Sequence, residues 1–350
     1  MSRVKTEVGI LGATGIVGQN LVRLLENHPW FELKWVAASD RSAGKPYAEA
    51  ATWRLASAMP TTVRGLKVEE CKPGSGPRLV FSGLDAKAAV EIEAAFANCG
   101  HFVVSNASAY RMEADVPLMV PEINADHLSL LHAQAARGWK GRIVTNPNCA
   151  AIGLTMALAP LERAFGLKRV IVTTMQAISG AGYPGQPSMD ILGNVVPFIR
   201  NEEEKLEEET QRILGKLANG KVVSGTFPVS AQCNRVAVLD GHSESVSVEL
   251  GTSAGLGDLR EAWTNFRGVP QERALPSAPP RPVIVMDEND RPQPRLDAER
   301  EGGMAAFVGR ARKCPVLHYK FFTLSHNAIR GAAGAALLNG DLILSEGLLP

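Results

Sequence analysis

The sequence predicts an α/β protein with two domains, a doubly wound parallel sheet near the N-terminus and a mixed α+β unit after it. The first observation is a β-rich run at 7–11 that enters a glycine-rich turn at 12–18 and then a helical pattern. The second is a change of pattern after residue 168, where long strands with few helices between them continue to about residue 325. Strand, glycine turn and helix in this order are typical of a Rossmann-like dinucleotide-binding domain.

Composition and charge narrow the class of function. The chain has 350 residues, 45% of them hydrophobic and 21% charged, which is long enough for two domains with their own cores. Lys+Arg 37 balance Asp+Glu 36, so no excess positive charge favours nucleic acid or an anionic membrane as a partner. No apolar run is as long as a membrane span, and the N-terminus leads straight into a strand, so we expect a cytoplasmic protein.

The number and spacing of the cysteines also fit the expected cytoplasmic location. There are 5 of them, widely spaced and without a C-x-x-C pair. This pattern fits neither a disulfide framework nor a zinc site. We therefore expect reduced thiols and no metal.

The glycine-rich turn is the first candidate ligand site. Its glycines permit a tight turn and allow backbone N–H groups to approach a pyrophosphate at the helix N-terminus. A turn that serves only the close packing of strand on helix is the alternative. The residues expected to contact the cofactor here are Gly12, Thr14, Gly15, Ile16 and Val17.

A second strand, at 31–38, ends in a polar loop that bears on the choice of cofactor. An NAD-preferring site usually places a carboxylate at the strand end to bind the ribose 2′-hydroxyl. Asp40 would fit that role, but the loop also offers hydroxyls and cations suited to a 2′-phosphate, at Ser39, Arg41, Ser42 and Lys45. We therefore expect NADP as the cofactor, with an ordinary solvated loop as the alternative.

Two more strands continue the alternation of strands and helices. Residues 78–84 form a strand that ends in small residues, after which Asp85 can cap a helix. Residues 101–105 form the next strand and lead into a loop containing Arg111, which is either an anion ligand or a solvated surface residue. Ligand loops are expected at these strand ends.

The stretch Asn146–Ala151 places one thiol between a short strand at 141–145 and a long apolar helix. With Asn148 as N-cap, Cys149 opens that helix, where unpaired backbone N–H groups and the positive end of the macrodipole face the sulfur. This setting predicts a lowered thiol pKa and a more abundant thiolate, and the same N–H groups can hold an oxyanion. A cysteine at such a position can also be a small buried apolar residue.

The second domain is predicted from strand-like runs and the loops between them. A strand at 168–176 leads into a flexible segment at 179–182. The acidic run 202–209, capped by Asn201, is interpreted as the solvated first turns of a helix. A strand at 283–286 interrupts a proline-rich loop.

The closing helix, at 327–338, is rich in small residues and can pack closely on the first domain. We therefore place the NADP-binding domain at 1–148, completed by the C-terminal segment 327–350. The mixed α+β domain is placed at 149–326.

Of the histidines, His242 has the most informative setting, because Asp240–Gly241 lies between two alternating runs. If these two residues form a hairpin loop, Arg235 and His242 share one face of the hairpin, about 13 Å apart. A small anionic substrate could bridge this gap, with the guanidinium on a carboxylate and the imidazole near the reacting carbon. The alternative is an exposed hairpin with a solvated arginine and a surface histidine.

A competing motif is Gly251–Gly255, which matches the G-x-S-x-G nucleophile elbow of hydrolases with Ser253 as nucleophile. Asp287 and His318 or His326 follow in the order that a hydrolase requires. This alternative gives the N-terminal dinucleotide unit no use, and it places the elbow after an alternating strand instead of a buried parallel one. We therefore favour chemistry at the thiol.

Five motifs together resemble aspartate-semialdehyde dehydrogenase of the archaeal and fungal branch, which also occurs in some bacteria. They are Gly-Ala-Thr-Gly-Ile-Val-Gly at 12–18, Ser-Asn-Ala-Ser-Ala-Tyr-Arg at 105–111, Asn-Pro-Asn-Cys-Ala-Ala at 146–151, Gln-Ala-Ile-Ser-Gly at 176–180 and Asp-Gly-His-Ser-Glu at 240–244. The resemblance covers essentially the whole chain in order. It implies that the second domain carries the catalytic residues and forms a homodimer or homotetramer.

The resemblance also implies a role for each candidate residue. Cys149 would be the acyl-thioester nucleophile and His242 the acid/base. Gln176 would orient the intermediate, and Arg235 would bind the substrate carboxylate. The other expected substrate ligands are Arg111 and Lys205 for phosphate and Glu202 for the amine. Further cofactor contacts are expected at Ser82, Gly83, Ser179, Gly180 and Asn327.

The implied reaction is reductive dephosphorylation of L-aspartyl 4-phosphate by NADPH. Thiolate Cys149 attacks the acyl phosphate, phosphate leaves, hydride reduces the thioester, and the thiohemiacetal collapses to the semialdehyde. A reductase of another activated acyl group, such as malonyl-CoA reductase, is the nearest alternative. A nonenzymatic NADP-binding regulator is a further alternative, in which Cys149 and His242 would have no catalytic use.

Overall fold

The computed structural model describes residues 4–349, and its first sheet is the predicted doubly wound one. All strands of this sheet are parallel, in the order β3-β2-β1-β4-β5-β6. They are β1 (Thr6–Leu11), β2 (Phe31–Ala38), β3 (Val68–Glu70), β4 (Leu79–Ser82), β5 (Phe102–Ser105) and β6 (Arg142–Thr145). The order reverses between β1 and β4, so the carboxyl ends of these two strands form the crevice where such sheets bind ligands.

The helices were predicted less completely than the strands, because several are single turns in loops. In the described part of the chain they are α1 (Ile16–Leu25), α2 (Tyr47–Ala50), α3 (Thr61–Arg64), α4 (Ala86–Asn98), α5 (Pro121–Asn124), α6 (Leu130–Gln134), α7 (Cys149–Phe165), α8 (Ser188–Ile191), α9 (Glu202–Ile213), α10 (Leu256–Asn265), α11 (Val269–Glu272), α12 (Pro294–Asp297) and α13 (Gly334–Ser345). A π-helical turn, Ile329–Ala333, precedes α13. Asp85 caps α4 as predicted, accepting bonds from the backbone N–H groups of Lys87 and Ala88. Within residues 4–349, none of the helices has both the length and the apolar character needed to span a bilayer.

The closing helix α13 packs on the first sheet, as its small residues predict. It shares one apolar cluster with α1 and with strand residues such as Val8 and Ile10. A Cβ added at Gly340 would lie 2.8 Å from the ring of Phe81, so only glycine permits this approach. The C-terminal segment therefore completes the core of the sheet that begins the chain.

The second sheet is mixed, with the order β13-β14-β15-β12-β7-β11-β8. Its strands are β7 (Leu167–Gln176), β8 (Val195–Val196), β11 (Val229–Val236), β12 (His242–Leu250), β13 (Val283–Val285), β14 (Ala306–Lys313) and β15 (Tyr319–Ser325), and a separate pair is formed by β9 (Lys216–Ala218) and β10 (Lys221–Val223). Helix α7 lies against this sheet, its apolar residues packing on Val170, Val172 and Val246. The indole of Trp263 donates to the carbonyl of Ala157 at 2.8 Å and fixes α10 on α7.

The predicted hairpin at Asp240–Gly241 is wrong, because β7 lies between the two strands it was to join. β11 pairs with β7 in parallel, Arg235 opposite Gln176, and β12 pairs with β7 antiparallel, Ser243 opposite Met175. The ten-residue strand β7 pairs with both β11 and β12 over most of its length. These many cross-strand pairs stabilise the sheet more than a direct β11–β12 hairpin closed by a two-residue turn would. The ends of β11 and β12 nevertheless meet at one edge of the sheet.

The predicted capping of the acidic run is wrong, and its predicted solvation holds for Glu204 and Glu208 but not for the buried Glu202 and Glu209. Asn201 has a left-handed backbone, φ 55°, and its side chain makes no cap bond. Glu203 and Glu207 instead accept bonds from the backbone N–H groups of Cys233 and Ala231, at 2.9 and 2.8 Å. These N–H groups lie on the open edge of β11, which the helix thereby covers.

Candidate active site

Cys149 opens α7 as the sequence predicts. The side-chain oxygen of Asn148 accepts bonds from the N–H groups of Ala150 and Ala151, at 2.9 and 3.1 Å. The π-helical turn approaches from the other side, and a Cβ added at Gly331 would lie 2.6 Å from the Cβ of Cys149. The nucleophile candidate is therefore held between a capped helix start and a glycine.

His242 lies next to the thiol. Its Nε2 is 3.2 Å from the Sγ of Cys149, and its Nδ1 accepts a bond from the backbone N–H of Ala177 at 3.1 Å. Because Nδ1 is an acceptor, a neutral imidazole carries its proton on Nε2, the atom that faces the sulfur. The ring is therefore positioned as a hydrogen-bond donor to Cys149.

Burial dominates the protonation of this pair and overturns the prediction of a lowered thiol pKa. It raises the pKa of Cys149 to about 12, and the charge of Glu202 adds to the effect. The charges of Arg111 and Arg235 and the N–H of Ala150 oppose it without outweighing it. Burial likewise lowers the pKa of His242 to about 3. Thiol and imidazole are therefore both neutral in this structure.

Arg235 comes close to His242, although not across a hairpin. Its Nη1 donates to the carbonyl of Ala177 at 2.7 Å. A Cβ added at Gly180 would lie 2.8 Å from this Nη1 and 3.0 Å from Nε2 of His242, so only glycine fits between them. Gln176, opposite Arg235 in the sheet, is buried and donates to the hydroxyl of Thr174 at 3.4 Å.

A cavity of about 550 Å³ brings four of the five predicted substrate ligands together beside the thiol, but Gln176 does not line it. Its walls include Arg111, Cys149, Glu202, Lys205 and Arg235. The sequence analysis missed other lining residues, of which Asn106, Ser108, Gln186 and Arg200 are polar. The first two follow β5 in the same loop as Arg111, so strand-end position could have indicated them, whereas no local pattern marks Arg200.

The predicted cofactor residues lie at the carboxyl ends of β1, β2 and β4. Gly12 has φ 73°, and a Cβ there would lie 2.8 Å from the carbonyl oxygen of Gly83. The hydroxyl of Tyr47, which the sequence did not indicate, donates to the carbonyl of Ala13 at 2.8 Å and supports the turn. The remaining members here are Thr14, Gly15, Ile16 and Val17 at the start of α1, Ser82 at the end of β4, and the accessible loop residues Ser39, Arg41 and Ser42.

Asn327 and Ser179 lie between this crevice and the thiol. The amide of Asn327 donates to the hydroxyl of Ser179 at 2.8 Å and accepts from the N–H of Gly241 at 2.8 Å. Ser179 and Ile16 also line a second cavity, of about 720 Å³, beside α1. Asn327 therefore joins the two loops that carry Gly180 and His242.

The alternative nucleophile elbow is not assembled. Ser253 is exposed, and it follows β12, whose pairings are antiparallel. Asp287 pairs with Arg260, and Nδ1 of His318 accepts the N–H of Leu250 at 3.2 Å. His326 pairs with Glu299 at 3.1 Å. The residues of the expected triad thus have other partners, so the hydrolase alternative is wrong.

Two family profiles match successive parts of the chain. The one described as "Semialdehyde dehydrogenase, NAD binding domain" matches residues 7–131, and "Semialdehyde dehydrogenase, dimerisation domain" matches residues 158–330. Among curated proteins, the aspartate-semialdehyde dehydrogenase of Methanothermobacter thermautotrophicus is 52% identical over 341 residues, which is 96% of this chain and 98% of that protein. The one of Schizosaccharomyces pombe is 46% identical over 355 residues, 98% of this chain and 99% of that protein.

Solved structures agree with the sequence comparison. The crystal structure of aspartate semialdehyde dehydrogenase with NADP from Candida albicans matches with a TM-score of 0.92 and 40% identity, covering 98% of this chain and 100% of that one. Aspartate semialdehyde dehydrogenase II complexed with ASA from Vibrio cholerae matches with a TM-score of 0.78 and 25% identity, covering 98% and 99%. With relatives of such identity aligned over nearly the full length of both chains, this protein belongs to the aspartate-semialdehyde dehydrogenase family.

Proposed function

We propose that the protein catalyses the NADPH-dependent reductive dephosphorylation of L-aspartyl 4-phosphate to L-aspartate 4-semialdehyde through a thioester at Cys149. The observation that carries the proposal is the 3.2 Å contact between Sγ of Cys149 and Nε2 of His242, in a cavity lined by arginines. Curated relatives named aspartate-semialdehyde dehydrogenase support the choice of substrate.

The charged groups of the cavity other than Arg200 each have a proposed use. Arg235 binds the substrate carboxylate through its planar fork, and Glu202 binds the amine. Arg111 and Lys205 bind the phosphate that leaves. Gln176 orients the intermediate from the end of β7.

The thioester divides the reaction into two easier steps. The sulfur of Cys149 attacks the acyl carbon, its proton passes to the departing phosphate, and the positive end of the α7 macrodipole stabilises the oxyanion. A bound nicotinamide cofactor would supply hydride to the resulting thioester, and the thiohemiacetal would then release the semialdehyde and return the sulfur to Cys149.

His242 serves this chemistry through Nε2. A donor at this atom stabilises the thiolate and then the oxyanion formed when hydride adds. Full acid–base action, which the family resemblance implies, needs a second ring proton at Nδ1. The contact with the N–H of Ala177 must therefore open whenever His242 becomes an imidazolium.

NADP fits the loop after β2. Its hydroxyls and cations, including Ser39, Arg41 and Ser42, suit a 2′-phosphate, and the glycine turn suits the pyrophosphate. Ser82, Gly83, Ser179, Gly180 and Asn327 complete the proposed path to Cys149. A higher kcat/KM with NADP than with NAD is expected, and equal values would contradict the assignment.

A second copy of the chain is the proposed partner. The profile for the second part of the chain is named for dimerisation. Exposed apolar side chains lie in and on both sides of the edge strand β8, at Met189, Leu192, Val195 and Phe198. We expect a homodimer or homotetramer, which light scattering of the purified protein would measure.

One assay separates this function from the related acyl reduction. NADP reduction is measured with L-aspartate 4-semialdehyde and phosphate, and in parallel with malonate semialdehyde and CoA. The cations Arg111, Arg200 and Lys205, which line the cavity, favour phosphate over a pantetheine arm, so activity is expected in the first mixture. Activity in the second mixture alone would support a malonyl-CoA reductase, and activity in neither would favour a nonenzymatic role.

A further inference from the structure

Glu209 is a buried residue of α9 to which the proposed reaction gives no role. The residue is only 2% exposed, and its carboxylate contacts both Arg111 and Asn148. Oε1 accepts a bond from Nη1 of Arg111 at 3.0 Å, and Oε2 accepts one from the backbone N–H of Asn148 at 2.5 Å. One side chain therefore joins the proposed phosphate ligand to the residue that precedes the nucleophile.

Asn148 is held by two glutamates of the same helix. Glu202 and Glu209 are seven residues apart, so they lie on one face of α9, two turns from each other. Glu202 accepts from the side-chain amide of Asn148 at 2.9 Å, whereas Glu209 accepts from its backbone. The other end of the Asn148 side chain caps α7. The turn that presents Cys149 is thus fixed from α9.

Arg111 is fixed by the same carboxylate. Its Nη1 donates to Glu209, and its Nη2 donates to the carbonyl of Asn106 at 2.8 Å. Its Nε is buried and has no hydrogen-bond partner among the described residues. The fork therefore has one orientation, with N–H groups left for an anion in the cavity.

The two contacts of Glu209 favour its charged form. Burial raises the pKa of this carboxyl above its ordinary value and the charge of Glu202 adds to the effect, while the charge of Arg111 and the N–H of Asn148 oppose it without outweighing it. A neutral side chain of the same shape could not satisfy both donors.

We propose that Glu209 is a positioning residue that holds Arg111 and the Asn148–Cys149 turn in a fixed relation, so that a phosphate bound by Arg111 presents its acyl carbon to the sulfur. This inference rests on the proposed function. The competing role is simple neutralisation of the Arg111 charge. The two roles predict opposite effects on anion binding when the negative charge is removed.

The variant Glu209→Gln distinguishes the positioning role from simple neutralisation of the Arg111 charge. The glutamine has the same shape, but its amide NH₂ must face either Arg111 or the N–H of Asn148, both of which are donors. Loss of positioning raises KM for phosphate about tenfold, because a buried charge-assisted contact is lost. It also lowers kcat about tenfold or more, because the nucleophile is displaced. A merely neutralising Glu209 would instead give a lower KM for phosphate.

The kinetics are measured for semialdehyde oxidation with saturating NADP, beside Glu208→Gln as matched control on the exposed face of α9. The control is expected to match the wild type. In an Arg111→Lys background, Glu209→Gln should no longer change KM for phosphate but should still lower kcat, because only the Asn148 contact remains to be lost. A loss of active protein through misfolding would lower the apparent kcat without changing KM.

Three results overturn the proposal: an unchanged or lowered KM for phosphate in Glu209→Gln, kinetics equal to those of Glu208→Gln, or effects on KM for phosphate that multiply in the double variant. If Glu209→Gln does not fold, Glu209→Asp retains the charge but is too short to reach both partners. Wild-type kinetics in that variant would overturn the proposal as well.

A failure of the proposed function is recognised separately. It appears as absence of NADP reduction by the wild-type protein. The dissociation constant of inorganic phosphate, measured by calorimetry, then still tests Glu209. We expect weaker binding in Glu209→Gln than in Glu208→Gln, and tighter or equal binding would overturn the role.

Discussion

At the scale of single residues, burial and fixed charges decide how Cys149 and His242 can react. The thiol lies at a helix N-terminus, which favours thiolate, yet burial favours the neutral thiol more strongly. The arginines beside it lower its pKa in part. Reactivity therefore depends on pH and on what enters the cavity.

Alkylation of Cys149 by iodoacetamide tests this balance. With a pKa of about 12, the thiolate fraction in the free protein should increase about tenfold per pH unit from pH 7 to 9, and the rate with it. Mass spectrometry of the Cys149 peptide measures the rate. Cys314 is the internal comparison, because the N–H groups of Leu317 and Val316 lower the pKa of its thiol. A rate at Cys149 that levels off below pH 9 would restore the lowered pKa expected from sequence.

Arg235→Lys and His242→Gln should affect different kinetic constants. Lysine keeps the charge but loses the fork, so KM for the semialdehyde should rise about tenfold with little change in kcat. Glutamine at 242 should lower kcat about 100-fold with KM little changed, because His242 acts on groups that form during the reaction. Steady-state kinetics at saturating NADP measure both. An unaltered KM in the first variant, or full turnover in the second, would remove the role concerned.

The sequence could predict the residues proposed to react directly with the substrate. It could not predict those proposed to position other residues through hydrogen bonds. Cys149 and His242 stand in motifs whose local setting is informative, and the structure brings them together. Glu209 stands in an acidic run that resembles any solvated helix start. Its partners, Arg111 and Asn148, are distant in the chain, so only the packing of α9 identifies it.

At the scale of elements, the π-helical turn Ile329–Ala333 acts on the nucleophile. Gly331→Ala should lower kcat about tenfold or more, because its Cβ would meet Cys149 and displace the sulfur. Gly257→Ala in α10 is the control, since a Cβ there meets nothing within 4 Å. Kinetics and thermal unfolding are compared for both variants. Normal kcat in Gly331→Ala would show that the turn does not constrain Cys149.

Helices and strands with a strong local sequence signal were predicted well, but the pairing of β11 and β12 with other strands was not. Strand β1, the glycine turn and α1 are specified by adjacent residues, as is the start of α7. The Asp240–Gly241 signal is equally local, yet the pairing partner of β11 and β12 is β7, which lies more than fifty residues away in sequence. Long-range ladders depend on the total length of strand contact, which a turn signal does not contain.

At the scale of the whole molecule, we propose that the two domains meet at 148/149, with 327–350 returning to the first. β6 ends the first sheet at Thr145, and α7 packs on the second. Cys149 and His242 would then both belong to the second domain, whereas Arg111 would belong to the first.

Stability of the whole chain should depend on Glu93. Burial raises the pKa of this carboxyl to about 7. Hydrogen bonds from Ser82 and Ser105 and the charge of Arg111 lower the pKa, but by less than burial raises it. Because the folded pKa exceeds the unfolded one, stability falls as pH rises through the window between them. Glu93→Gln should therefore gain up to about 3 kcal/mol relative to wild type between pH 4.5 and 7.5, measured by urea unfolding. The exposed Glu91→Gln should show no such trend, and a flat difference for Glu93→Gln would contradict the assignment.

The central claim is a thioester at Cys149. The most direct measurement is mass spectrometry of the protein after incubation with L-aspartate 4-semialdehyde and NADP, without phosphate, followed by acid quenching. One aspartyl group is expected on the peptide containing Cys149, lost on adding phosphate before the quench and absent in Cys149→Ser. Formation of NADPH with no adduct on Cys149, or with an adduct that Cys149→Ser retains, would contradict the account.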